Sequence, residues 1–157
     1  MKITLLVIGR TDETYLKEGI AVYNGRLQRY TGFLIKEIPA LKHGNKMSEA
    51  EQKRKEGELI LGTLDKNDKL ILLDDKGREQ DSEGFAKFIR GKLLDSTKSL
   101  VFVVGGPYGF SEAVRERAGD KISLSKLTFS HQMVRLIFVE QLYRAYTILK
   151  GEKYHHS

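Results

Sequence analysis

Residues Leu100–Arg144, around which the rest of the chain is organised, read LVFVVGGPYGFSEAVRERAGDKISLSKLTFSHQMVRLIFVEQLYR. Its first five residues are apolar, rich in β-branched side chains and too few for a typical helix, so they predict a buried strand. The turn Gly105–Gly109 contains three glycines, which leave room for a ligand beside the main chain, and Ser111 can cap a following helix. Strand, glycine turn and helix N-terminus often bind an adenosine- or phosphate-bearing ligand, although the same residues suit a tight structural turn.

Strands and helices alternate along the rest of the chain. The other predicted strands are Lys2–Ile8, Phe33–Ile38, Leu70–Leu73 and Lys121–Leu124. The predicted helices begin at Thr11 or Asp12, at Ser48, at Asp81 or Ser82, at Ser111 and at His131, the first ending near Tyr30 and the last near Leu149. Asp74–Arg78 is expected to turn the chain. The alternation predicts an α/β fold with a mainly parallel sheet flanked by helices, and the absence of a linker or repeat predicts one domain over residues 1–157.

Charge and composition limit the classes of function. Lysine and arginine number 27 against 21 acidic residues, and the net charge of +6 favours a polyanionic partner, although many basic proteins bind no nucleic acid. The chain has no cysteine, which excludes disulfides, thiolate zinc sites and cysteine nucleophiles. No apolar run approaches the ~20 residues of a membrane span. We therefore expect a cytoplasmic protein that needs neither a membrane nor a metal.

Two common nucleotide-binding motifs do not fit the glycine turn. Gly105-Gly106-x-x-Gly109 is not the G-x-G-x-x-G of dinucleotide-binding folds, and Lys126 and Leu127 lie where that motif would place an acid. A P-loop is excluded because no Gly-Lys-Ser/Thr follows the turn.

Three segments together resemble one family. They are Gly105-Gly106 after a strand, SLSKLTFSHQMVR at 123–135 and EQLYRAY at 140–146, and the resemblance extends from Met1 to His155. The family is ribosomal RNA large-subunit methyltransferase H, which methylates N3 of a pseudouridine. It belongs to the SPOUT superfamily, whose C-terminal segment is threaded into a trefoil knot. The resemblance implies one SPOUT-type α/β knot domain, with the knot and cofactor region at about 100–150. It also implies a homodimer with the active site at the subunit interface, acting on large-subunit ribosomal RNA in assembled ribosomes.

The same resemblance implies an S-adenosylmethionine site at the carboxyl ends of the strands. The matching positions are Leu73, Gly105, Leu124, Ser125, Lys126, Leu127, Thr128 and Phe129. Leucine and phenylalanine side chains among them can supply apolar walls for an adenine, and main-chain groups of 125–129 can hydrogen-bond to its edge. Ser130 stands where the family usually has proline, a change that can loosen the loop.

The last predicted helix carries two polar pairs on roughly opposite faces. His131 and Arg135 share one face, and Glu140 and Arg144 share the other. We expect His131, Arg135 and Arg144 to contact RNA, and Glu140 and Arg144 to belong to the active site. The structural alternatives are a capping or core histidine and an ordinary i,i+4 ion pair. The apolar residues on the remaining faces suggest that a second subunit covers part of this helix.

For the C-terminal tail, general statistics of chain ends and the family resemblance predict different behaviour. A polar heptapeptide at a chain end is normally frayed and dispensable for folding. The resembled family ends in a Tyr-His pair close to the methyl group of the cofactor, and Tyr154-His155 matches it. Tyrosine can stack on a base, and histidine can accept a proton near neutral pH. We expect His155 to be the general base, with Glu140 as the second candidate.

Two other functions fit part of the sequence. A catalytically inactive ribosome-binding assembly factor of the same fold would not need the glycine turn, the 124–129 loop and the Tyr-His pair to be intact. A nucleotide-binding α/β module unrelated to RNA fits the glycine turn but leaves the tail unexplained.

Overall fold

Five parallel strands form the central sheet of the computed structural model, which describes residues 1–156. Ser157, the last residue of the predicted domain, lies outside the described residues. The strands are β1 Lys2–Ile8, β2 Gly32–Ile38, β3 Lys69–Glu79, β4 Ser99–Val104 and β5 Asp120–Ser123. Their order across the sheet is β2-β1-β4-β3-β5, and every pairing between them is parallel. The predicted α/β fold with a parallel sheet is therefore confirmed.

Among residues 1–156, four α-helices connect consecutive strands and a fifth follows β5. They are α1 Thr14–Leu27, α2 Glu49–Thr63, α3 Ser82–Leu94, α4 Glu112–Arg117 and α5 Met133–Leu149. The predicted caps of α2, α3 and α4 are confirmed, because Ser48, Asp81 and Ser111 each accept a main-chain N–H bond from the first turn. The predicted cap of α1 is wrong: the capping position is Glu13, and its side chain accepts no hydrogen bond.

Helices cover both faces of the sheet. In β4, Phe102 packs with α1, α3 and α5, whereas the neighbouring Val103 packs with α2 and α4. Successive side chains of a strand point to opposite faces, so a strand buried on both sides must be apolar throughout. This explains why residues 100–104 form an uninterrupted apolar run.

The chain itself covers most of α5. Phe138, Val139 and Leu142 are fully buried in the core formed with α1, α3 and the sheet. Helices α1 and α3 both pack along α5. The apolar faces of this helix, from which we predicted a second subunit, are therefore largely accounted for within one chain.

Strand β3 is longer than predicted, because it continues beyond Leu73 to Glu79. Asp74–Arg78 does not end the strand; it forms an irregular segment across which Leu73 and Arg78 both pair with Ile122 of β5. A Cβ at Gly77 would lie 2.5 Å from the carbonyl carbon of Ile122, so only glycine permits this approach. Within residues 1–156, no helix is both long and apolar enough to cross a membrane.

Candidate functional site

A cleft of about 260 Å³ opens at the carboxyl ends of β3, β4 and β5. Ligands of open α/β sheets bind at this edge. Seven of the eight residues predicted to bind a cofactor line the cleft, namely Leu73, Gly105, Leu124, Ser125, Leu127, Thr128 and Phe129. His131, predicted to contact RNA, lines it as well. The remaining residue, Lys126, does not: its exposed ammonium lies 3.9 Å from a carboxylate oxygen of Glu79.

Side-chain hydroxyls shape the loop after β5. Ser123 Oγ donates to the carbonyl of Ser125 at 2.9 Å, and Ser125 Oγ accepts from the N–H of Leu127 at 2.9 Å. These short-range bonds leave Leu127 at the rim of the cleft, where it is 73% exposed. A large apolar side chain held in the open at a cleft is suited to cover an apolar ligand.

Hydrogen bonds connect the start of α5 to the loop after β1. Ser130 Oγ accepts from the N–H of Met133, the first residue of α5, at 3.0 Å. Gln132 donates to the carbonyl of Arg10 at 3.0 Å and accepts from the N–H of Asp12 at 2.8 Å. The helix that borders the cleft is thereby tied to the loop after β1.

The glycine turn packs closely against two side chains, Phe110 and Glu56. A Cβ at Gly105 would lie 3.0 Å from the ring of Phe110, and one at Gly106 would overlap the carboxyl of Glu56. Glu56 is 5% exposed, and its Oε1 has no hydrogen-bond partner among residues 1–156. Burial raises the pKa of Glu56, and a hydrogen bond from Gln52 opposes this rise only in part. Sequence analysis missed Glu56 because helix α2 otherwise carries charged residues on its solvent face.

Two acidic residues of the cleft also escaped sequence analysis. Asp74 and Asp75 follow directly on Leu73 and line the cleft. Burial alone would raise the pKa of Asp74, but hydrogen bonds from the Lys76 N–H at 3.0 Å and from Arg115 at 2.9 Å hold it below its ordinary value. The signal was present in the sequence, since two carboxylates follow directly on the predicted strand Leu70–Leu73.

The four residues predicted to be catalytic lie together where the C-terminal tail folds back beside the middle of α5. Glu140 Oε1 accepts from Arg144 at 2.5 Å and from the Tyr154 hydroxyl at 2.9 Å. Arg144 also donates to Nδ1 of His155 at 3.2 Å, and its guanidinium carbon lies 4.7 Å from the centre of the Tyr154 ring. We name Glu140, Arg144, Tyr154 and His155 the tail cluster.

The hydrogen bonds of the tail cluster define its protonation. Burial, followed by hydrogen bonds to Tyr23 and Glu140, raises the pKa of Tyr154, so this phenol stays neutral and acts as a donor. Burial would lower the pKa of Arg144, but its bond to Glu140 and the charge of that carboxylate raise it above its ordinary value. Arginine can only donate, so Nδ1 of His155 must accept and its proton lies on Nε2. The lone pair that a general base would use is engaged by Arg144.

The prediction of a frayed tail is wrong for the residues that the structure describes. Gly151 adopts a φ of +69° and reverses the chain, after which the N–H of Glu152 donates to the carbonyl of Thr147 at 2.9 Å. The Tyr154 ring then packs edge-on against Tyr143, with the ring centres 4.8 Å apart. The tail is therefore folded back onto its own helix.

Arg135 is buried, whereas a side chain that contacts RNA must reach the surface. It is 1% exposed, and its guanidinium donates to the carbonyls of Ile8 at 2.9 Å, Gly9 at 3.1 Å and His131 at 3.1 Å, and to Thr11 Oγ1 at 3.0 Å. Burial lowers the pKa of Arg135, and the charges of Glu37 and Asp12 offset this in part. We correct the prediction: in this structure Arg135 holds the end of β1 to α5.

Cleft and tail cluster are separate within one chain. None of the four cluster residues lines the cleft, although both sites border α5. No group of three or more histidine, aspartate or glutamate residues in the described part of the chain can hold a metal ion.

Comparisons with known proteins agree on one family. A family model described as a predicted SPOUT methyltransferase matches residues 1–155. The chain is 57% identical over 157 residues to ribosomal RNA large subunit methyltransferase H of Parabacteroides distasonis, with both chains fully covered. It is 53% identical to the proteins of the same name from Christiangramia forsetii, over 156 residues and 99% of each chain, and Bacteroides thetaiotaomicron, over 157 residues and the whole of each chain. The chain therefore belongs to the ribosomal RNA large subunit methyltransferase H family of SPOUT methyltransferases.

Proposed function

We propose that this protein is an S-adenosylmethionine-dependent methyltransferase that methylates N3 of a pseudouridine in large-subunit ribosomal RNA of assembled ribosomes. The observation that carries the proposal is the cleft at the carboxyl ends of β3, β4 and β5, which seven of the eight predicted cofactor residues line. Family membership supports methyl transfer to ribosomal RNA. The choice of pseudouridine N3, the assembled ribosome and the cytoplasm rests on the family resemblance.

The residues of the cleft fit S-adenosylmethionine, which supplies an electrophilic methyl group when bound. Leu124, Leu127 and Phe129 offer apolar walls for the adenine, and the main chain of this loop offers hydrogen-bonding groups. Asp74 and Asp75 add negative charge, which suits a ligand with a sulfonium and an ammonium group. The cleft is therefore matched to the cofactor in polarity and in charge.

We further propose one domain with a C-terminal trefoil knot over about residues 100–150. Family resemblance supports it, together with a family match that runs through residues 1–155 without a break. In this arrangement the cleft loop and α5 belong to the knot.

We also propose a homodimer in which the tail cluster of one subunit completes the cleft of the other. The separation of cleft and cluster within one chain supports this, because methyl transfer needs cofactor and target base in contact. Both sites border α5, so a two-fold pairing near this helix would bring each cluster towards the opposite cleft.

In the proposed reaction N3 of the uracil ring gains the methyl group and loses its proton. Tyr154 is a neutral donor positioned by Glu140, suited to orient the base by stacking or hydrogen bonding. His155 accepts the N3 proton at Nδ1 once Arg144 has moved from that atom to the RNA. Arg144 is suited to this exchange because its guanidinium can form bidentate hydrogen bonds to a phosphate.

Titration with S-adenosylmethionine tests the cofactor site. Leu127 and Leu94 are both 73% exposed, but only Leu127 lines the cleft. We expect Leu127→Ala to weaken binding by about 1–2 kcal/mol, or about 5- to 30-fold in Kd, because an apolar wall is lost. Leu94→Ala should bind like the wild type. Equal affinities for the two variants, or no binding by the wild-type chain, would refute the site.

Complementation between defective subunits tests the shared active site. Thr128→Trp should obstruct the cleft, and Tyr154→Ala should disable the cluster, so each variant alone should be inactive. Random mixing of the two should restore about a quarter of the sites, each formed from an intact cleft and the partner's intact cluster. No recovery in a mixture shown to contain heterodimers would place the whole site within one chain.

A further inference from the structure

A second cavity lies behind the glycine turn, on the side away from the cofactor cleft. It is a groove of about 660 Å³ between α2, α4 and the irregular end of β3. Four basic residues line it, namely Lys53, Arg54, Lys76 and Arg115, together with the acids Glu58 and Glu112. The balance of charge along the groove is therefore positive.

Two of these cations have no ionic partner in the structure. Sequence spacing favours two i,i+4 ion pairs in α2, Glu49–Lys53 and Glu51–Lys55. Of these two, the structure forms Glu51–Lys55, at 3.3 Å. Among residues 1–156, neither Lys53 nor Lys76 lies within 4.0 Å of an acidic oxygen. Unpaired ammonium groups on a groove wall are available to an anionic ligand.

The other two cations are held in place by carboxylates. Arg54 pairs with Glu58 at 2.6 Å, and both side chains are exposed, so this pair contributes little to stability and can be exchanged for a phosphate. Arg115 pairs with Asp74 at 2.9 Å, and Asp74 lines the cofactor cleft. One ion pair thus connects a cation of the groove to the wall of the cleft.

The glycine turn is shared between the two cavities. Gly105 and Pro107 face the cleft, whereas Tyr108 faces the groove and is exposed, and Phe110 lines both. An exposed aromatic ring beside basic side chains is a common platform for an unpaired nucleotide. A strand whose target base enters the cleft can therefore continue across the turn into the groove.

We propose that this groove binds the phosphate backbone of the substrate RNA next to the target nucleoside, with Lys53 and Lys76 as phosphate ligands and Tyr108 as a stacking platform. The inference rests on the proposed function, which provides a base at the cleft, and adds a backbone site that fixes the strand. Positive charge, unpaired ammonium groups and an exposed ring together favour RNA over an acidic protein.

The test compares two double variants with the same loss of charge. Lys53→Ala/Lys76→Ala removes the proposed contacts. The control, Lys66→Ala/Lys98→Ala, removes two exposed lysines that precede β3 and β4, at the amino ends of the strands. Binding to unmodified large-subunit RNA and to ribosomes is measured between 50 and 200 mM salt, and ribosome methylation is measured as kcat and KM. Melting temperature and S-adenosylmethionine affinity of each variant report on folding and on the cofactor site.

The groove variant should lose at least tenfold in RNA affinity, and its salt slope should fall by about 1.4 to 1.8 because two phosphate contacts disappear. Its KM should rise while kcat stays near the wild-type value, and the control variant should change neither. RNA binding and salt slope equal to those of the control would overturn the proposal even if methylation is observed. Normal binding to naked RNA with weakened binding to ribosomes would also overturn it, since the groove would then contact a ribosomal protein. Absence of methylation by the wild type would refute the proposed function and leave the RNA-binding measurement as an independent test of the groove.

Discussion

Replacing Arg135 by methionine tests whether this residue supports the fold or binds RNA. The substitution keeps the length of the side chain but removes four hydrogen bonds, three of them to main-chain carbonyls. Removing one member of a buried network of charged hydrogen bonds typically lowers the free energy of unfolding by about 3–5 kcal/mol, because the remaining acceptors lose their donor. In a chain of this size each kcal/mol lowers Tm by about 2–4 °C, so we expect a fall of about 6–20 °C.

Urea and thermal unfolding measure this loss directly. Arg29→Met is the matched control, since Arg29 is exposed on the chain just after α1 and should change stability by no more than about 0.5 kcal/mol. The structural role of Arg135 would be refuted if its variant were as stable as the control and bound ribosomes weakly. That result would restore the RNA contact expected from the sequence.

Three further predictions concern the glutamate behind the glycine turn and the tail. Since burial raises the pKa of Glu56, the stability that its protonated form contributes should be lost as pH rises from about 4.5 through the raised pKa of the folded state. Glu56→Gln has no such loss, so its advantage over the wild type in urea unfolding should grow over this interval and then level off; parallel pH profiles would contradict this. A chain ending at Lys153 should lose about 1–3 kcal/mol of stability, because the Tyr154 ring leaves its site on Tyr143, and unchanged unfolding would show that the packing is unimportant. The methylation rate lost in His155→Ala should shrink as pH rises if His155 is the base, because solvent hydroxide can replace it, whereas a loss independent of pH would assign His155 to positioning only.

Local patterns were sufficient to predict the sheet and most caps. The uninterrupted apolar run at 100–104 predicted a strand buried on both faces, and the structure places it at the centre of the sheet. Ser48, Asp81 and Ser111 cap the helices predicted for them, because a cap depends on residues within one turn. The cleft residues were also predictable, since strand ends of a parallel sheet meet at one edge.

Contacts between distant parts of the chain explain the predictions that were wrong. Arg135 occupies the helix face expected for it, but packing of α5 against the end of β1, more than 120 residues away in sequence, makes that face internal. Asp74–Arg78 looks like a turn because glycine and charge suggest one, whereas Gly77 is required for β5 to approach β3. The fold of the tail depends on Tyr143 and Glu140, which no pattern in a polar heptapeptide can show.

In the proposed reaction this chain transfers a methyl group from S-adenosylmethionine to N3 of a pseudouridine in large-subunit RNA. The most direct measurement incubates the purified protein and S-adenosylmethionine carrying an isotopically labelled methyl group with ribosomes that lack this modification. Mass spectrometry of the digested RNA then identifies the labelled nucleoside. We predict a single labelled pseudouridine, methylated at N3, in large-subunit RNA and none in the small subunit. Ribosomal RNA without label, from a protein that is folded and binds both S-adenosylmethionine and ribosomes, would contradict the claim and favour an inactive assembly factor.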